Sequence, residues 1–149
     1  MLQNFISMLT ILANAANILS ATMSLLFGLV YLFRSKFMNY HSATVEKKWE
    51  DLAPQLQTLI LALMRSLGGG LVSVSITIFY LQYQFHKQHQ SWIPLAIVIC
   101  GITLTLGILY AQLSVIKKTK GRPPIFSSLL ALVLLTIGYF LNIATLTNS

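Results

Sequence analysis

The segment Gln57–Tyr80, QTLILALMRSLGGGLVSVSITIFY, constrains this chain most, because it is apolar over a bilayer-crossing length yet carries an arginine and three successive glycines. Crossing about 30 Å of hydrocarbon takes roughly 20 apolar residues at 1.5 Å each. A membrane-spanning helix satisfies that length, with Arg65 inside it. Phe5–Phe33, Trp92–Ile116 and Ile125–Leu146 are apolar runs of comparable length. With the second span running over about 57–83, the expected fold is all-α, a single integral membrane bundle of four transmembrane helices covering residues 1–149. Only 9% of the residues are charged, against roughly 25% in a soluble domain, which excludes a soluble enzyme fold.

The charges that remain set an orientation. Arg34, Lys36, Lys47 and Lys48 follow the first span, and Lys117, Lys118, Lys120 and Arg122 follow the third, whereas the loop after the second holds Lys87 alone. The positive-inside rule places loops 34–56 and 117–124 in the cytoplasm and both termini outside. A net charge of +7 therefore reads as topology rather than as a nucleic-acid surface. Ala13-Asn14-Ala15 faintly matches a signal-peptidase site, but no Lys or Arg precedes it and a full apolar run follows, so the first helix is expected to stay uncleaved. The lone Cys100 can form neither an internal disulfide nor a cysteine-based metal site, and no cofactor is implied.

Helix faces carry packing information. Ala16, Ser20, Ser24 and Gly28 recur every four residues and form a small-residue stripe on the first span, where another backbone can come close. Asn14 and Asn17 beside it are expected to bond across helices or to lie at interfacial depth. Ala96, Cys100, Gly101, Gly107 and Ala111 give the third span small positions of its own. Thr44–Leu52 is expected to form a short interfacial helix with Trp49 and Leu52 at headgroup level. Pro54 then opens the second span, with Asp51 or its neighbours capping the free N–H groups.

Three places can hold chemistry. Arg65 costs roughly 2.5–3.5 kcal/mol at a helix centre and usually marks a pairing or a pathway. If the helix opens at Gly68, Gly69 and Gly70, freed N–H groups and the guanidinium converge on an anion. The alternative is close packing through the glycines, with Arg65 snorkelling at the edge if the span is Ser66–Phe85. Tyr40 and His41 form the second place, where a histidine near Glu46, Glu50 and Asp51 can serve as acid, base or solvated cap. His86 and His89 form the third; with no further ligand nearby they read as a solvated loop, and no metal site is expected. No carboxylate lies within a span, which disfavours a proton-driven exporter.

The motifs F-M-N-Y-H (Phe37–His41), W-E-D-L-A-P (Trp49–Pro54) and A-L-M-R-S-L-G-G-G (Ala62–Gly70) together resemble a family of small four-span bacterial integral membrane proteins of unknown function. The resemblance spans about a quarter of the chain. It implies the four-span fold, a bacterial cytoplasmic (inner) membrane, and Tyr40, His41, Arg65, Gly68, Gly69 and Gly70 as one ligand-binding constellation without a catalytic role.

The leading expectation is thus a membrane-embedded binding or accessory protein, not an enzyme, whose arginine and glycine region faces a polar cavity or an anionic lipid headgroup. Its rivals are an oligomeric transporter or channel for a small anion, and a membrane enzyme that uses His41 as base on a lipid-like substrate. The partners expected are the lipid bilayer, an anionic lipid or small anion, and further copies of the chain, but no nucleic acid.

Overall fold

Glycine at two facing positions lets two helices meet backbone to backbone, and that contact sets the register of the bundle. In the computed structural model, which describes residues 2–148, α1 (Leu2–Phe33) and α3 (Pro54–Gln88) cross at Gly28 and Gly68. A Cβ on Gly68 would stand 2.8 Å from the Gly28 carbonyl oxygen, and one on Gly28 would stand 2.9 Å from the Gly68 carbonyl oxygen. The small-residue stripe does form a packing face, with Ala16, Ser20 and Gly28 buried and Ser24 half-buried.

The remaining helices are α2 (Asn39–Val45), α4 (Ile93–Lys118) and α5 (Ile125–Asn148), with a single 3-10 turn at Trp49–Asp51 between α2 and α3. The fold is all-helical. Four of the helices are long and apolar enough to cross a membrane, which makes this a multi-pass membrane protein: Gln3–Phe33, Pro54–Gln88, Ile93–Lys118 and Ile125–Thr147. α1 packs along α3 and α5, and α4 closes the bundle against α5 and, more loosely, α3. The start of α1, the end of α5 and the α3–α4 turn lie at one end. The two basic loops lie at the other, the basic end.

The second span is longer than 57–83. α3 has 35 residues, about 52 Å at the helical rise, and it runs continuously through Gly68, Gly69 and Gly70 without opening. Its first turns pack against the loop beneath them, where Phe37, Leu52 and Met64 form a buried cluster flanked by Trp49, Ile60 and Leu61. This corrects the expected interfacial helix over Thr44–Leu52. The helix lies earlier, because Met38 and His41 cap it at one end and Glu46, in the left-handed region at φ 54°, ends it. Leu52 is thereby buried against α3 rather than left at headgroup level. Pro54 does open α3, but no side chain caps it; Gln57 ties the start instead, donating from Nε2 to the carbonyls of Trp49 (2.8 Å) and Leu52 (3.2 Å).

The two basic loops meet where Lys120 Nζ lies 2.7 Å from Glu46 Oε1, while Lys36 Nζ, 2.5 Å from Glu50 Oε1, ties the first loop to itself. Gly121 is buried against Thr44 and the Tyr40 carbonyl, in a space that any side chain would overfill. Lysine therefore does more than mark topology here, since it fastens the α4–α5 loop beneath α2.

The opposite end is held by amides. Asn17 Nδ2 donates to Gln82 Oε1 at 2.7 Å, Asn142 Nδ2 donates to the same oxygen at 3.2 Å, and Gln82 Nε2 donates to Asn14 Oδ1 at 2.5 Å. Asn17 and Asn142 are 0% exposed and Gln82 is 2% exposed. Each bond joins α1 or α5 to α3. Gly138 leaves the space that the Asn17 amide fills, so any Cβ there collides with it. Beside this layer Ala21, Ile78, Phe85, Ile93, Ile97 and Leu135 form the apolar core.

Candidate functional site

Where α1 ends, the chain turns beneath the bundle and presents two tyrosines and a histidine to a cavity. Tyr31 lies on the last turns of α1, and Tyr40 and His41 lie on the first turn of α2. The Tyr31 and Tyr40 hydroxyls are hydrogen-bonded to each other. His41 Nδ1 accepts from the Met38 backbone N–H at 3.2 Å, which leaves the ring proton on Nε2. The imidazole is boxed by aromatic edges, with ring centroids at 4.1 Å from Tyr40 and 6.1 Å from Phe37.

Burial fixes the charge state of this group. It pushes the Tyr40 phenol far above its ordinary value of 10.0, and the bond to Tyr31 adds to the shift. It also holds His41 below its ordinary value of 6.5, because a desolvated imidazole resists protonation. At neutral pH both are uncharged hydrogen-bonding groups. The Nδ1 lone pair that a general base would use is already engaged, so His41 is arranged to donate from Nε2.

Above them is a cavity of about 720 Å³. Leu63, Met64 and Leu67 of α3 and Leu104, Ile108 and Val115 of α4 supply apolar walls. The cavity lies where α3 and α4 diverge. Leu63 is 62% exposed, and a Cβ on Gly107 of α4 would meet nothing within 4 Å, so the cavity opens between these helices onto the face turned to lipid. Gln112 is also on the wall; its Nε2 reaches the Pro124 carbonyl only at 3.4 Å, and its Oε1 is buried with no donor. A second, narrower cavity of about 70 Å³ shares Tyr31, Leu67, Leu104 and Ile108 with the first and continues along the bundle interior to Ile78 and Leu135.

The expected constellation divides. Tyr40 and His41 reach the cavity, whereas Arg65 and the glycines do not line it. Gly68 is spent on the contact with α1, while Cβ atoms on Gly69 and Gly70 would meet nothing within 4 Å. Arg65 is exposed and, among the described residues, makes no ion pair or hydrogen bond. Its depth follows from the register. It precedes Gly68 by three residues, about 4.5 Å along the axis, which brings it level with the end of α1, where Phe33 gives way to Arg34. His86 is exposed on the last turn of α3, and His89 ends that helix at φ 49° with its ring 5.7 Å from Phe85.

Sequence reasoning passed over Tyr31, Gln112, Gln82 and Asn142. An amide inside an apolar run was the available signal for the last three. Comparison with known proteins adds no relative: no family model, curated protein or solved structure matches the chain.

Proposed function

We propose that the protein is a membrane-embedded binding protein whose cavity at the basic end takes up an apolar or amphipathic molecule from the bilayer. The observation that carries this reading is the cavity of about 720 Å³ with aliphatic walls and the Tyr31, Tyr40 and His41 cluster at its inner end. Small-molecule sites typically measure about 300–1,000 Å³ and combine apolar walls with a few convergent polar groups. The opening between α3 and α4 supports access from within the membrane. The excess of basic residues in the two loops supports a position in the cytoplasmic leaflet of a bacterial inner membrane. Arg65, level with Arg34, fits a contact to an anionic lipid headgroup outside the cavity.

The test is photolabelling of the protein in lipid nanodiscs with a long-chain alkane that carries a diazirine. Labelling concentrated on Leu63, Leu67 and Ile108, and lost in Gly107→Phe, is the expected result, because Gly107 stands on the cavity wall with open space at its Cβ. Labelling spread evenly over all lipid-facing helices, and unchanged by Gly107→Phe, overturns the reading.

A further inference from the structure

Resting on that reading, we propose that the bound molecule is a neutral amphiphile with one linear tail, of the long-chain alcohol or monoacylglycerol class, its hydroxyl held by Tyr40 and His41 and its tail threaded toward the narrow cavity. Two independent features of the structure lead there.

The first concerns the head. Among the described residues no Lys, Arg, Asp or Glu lines the larger cavity, so a phosphate or ammonium drawn into it would be a charge without a partner, which an apolar site penalises heavily. What the site offers is a mixed set of neutral groups. His41 donates from Nε2, and whichever tyrosine hydroxyl accepts from the other keeps its own proton free. A hydroxyl both donates and accepts, so it can pair with the imidazole donor and a tyrosine hydroxyl together. A carboxylate or phosphate can use only the donors.

The second concerns the tail. The two cavities share four wall residues, so their volumes adjoin at Tyr31, Leu67, Leu104 and Ile108. Along α3 the combined wall extends from Ile60 to Ile78, about 27 Å at the helical rise. The inner part measures only about 70 Å³, little more than two waters at roughly 30 Å³ each. That volume takes only the end of one unbranched chain and leaves no room for a second chain beside it. Ser20, Ser24 and Ser128 on its wall are small and keep it open.

The experiment uses Trp49, which stands 5.0 Å from the Phe37 ring on the cavity wall. With Trp92→Phe it is the one remaining tryptophan of the two in the chain. In nanodiscs this protein is titrated with four probes that share a linear tail brominated near the head: an alcohol, a monoacylglycerol, a phosphate monoester and a trimethylammonium. Saturable quenching by the first two at concentrations at least about tenfold below those needed for the charged pair is expected. Equal quenching by all four, or tightest binding of the phosphate, overturns the neutral head while the cavity stands as a site. Saturable quenching by none overturns both this inference and the binding function on which it rests. For the tail, Ser24→Leu and, separately, Ser128→Leu are expected to weaken a long-chain alcohol about tenfold and to spare a short one. Equal effects on both lengths, or none on either, overturn the threaded tail.

Discussion

The two ends of this bundle use polar residues in opposite ways. At the end where α1 starts and α5 ends, Asn14, Asn17, Gln82 and Asn142 bond to one another across three helices, beside the apolar core of Ala21, Ile78, Phe85, Ile93, Ile97 and Leu135. At the basic end Tyr31 and Tyr40 bond to each other, His41 bonds nearby backbone, and the helices above them part around about 720 Å³. Polar groups that link helices close a membrane bundle, whereas polar groups satisfied locally leave the helices free to diverge. The contrast divides architecture from site within one small fold.

The comparison breaks most severely at Gly138. A Cβ there overlaps the Asn17 amide, so Gly138→Val should cost about 3 kcal/mol or more through overpacking and displaced hydrogen bonds. The protein should then lose its cooperative melt in detergent, while Gly107→Ala at the open end melts like the parent. Gln82→Leu comes next. It removes the hub of three interhelical bonds, and at about 0.6 kcal/mol for each such bond in a membrane the expected loss is about 2 kcal/mol, read as a lower melting temperature in the same detergent.

A smaller effect is expected from pH. Because burial holds His41 below its ordinary value of 6.5, the unfolded chain binds the proton more readily than the folded one. Stability is then complete above 6.5 and declines as the pH falls below that value toward the lowered folded one. A melting temperature that drops on acidification, with the drop reduced in His41→Gln, is the outcome to look for. The smallest effect belongs to Arg65→Leu. An exposed side chain without an ion pair or hydrogen bond should shift stability by no more than about 0.5 kcal/mol, although retention of anionic lipid through purification should fall.

The four spans were legible because length and apolarity decide them before any packing does. α3 opens at Pro54 as the proline indicates, but its first turns are seated by Ile60, Leu61 and Met64 on Phe37, Leu52 and Trp49, a tertiary contact that no local pattern announces. The short helix lies at Asn39–Val45 instead of Thr44–Leu52 because Met38 and His41 cap its start and Glu46 turns left-handed at its end. Arg65 drew attention as a charge in an apolar run, yet its depth is set by Gly28 meeting Gly68 from the other helix. Asn14 and Asn17 were readable as residues that bond across helices. Their partner Gln82 was not, because the pairing joins residues 68 and 65 positions apart and generic apolar helices do not reveal which faces meet. Tyr40 and His41 were visible as a pair, but the cavity they close exists only where α3 and α4 separate.

The central claim is that this separation houses a guest, and a map of the protein extracted in nanodiscs with its native lipids tests it most directly. An elongated density between α3 and α4, flanked by Leu63 and Gly107 and ending within hydrogen-bond reach of Tyr40 and His41, is the result this account requires. Leu63 and Leu67 packed against Thr103 and Gly107, with the cavity closed and nothing in it, would contradict it.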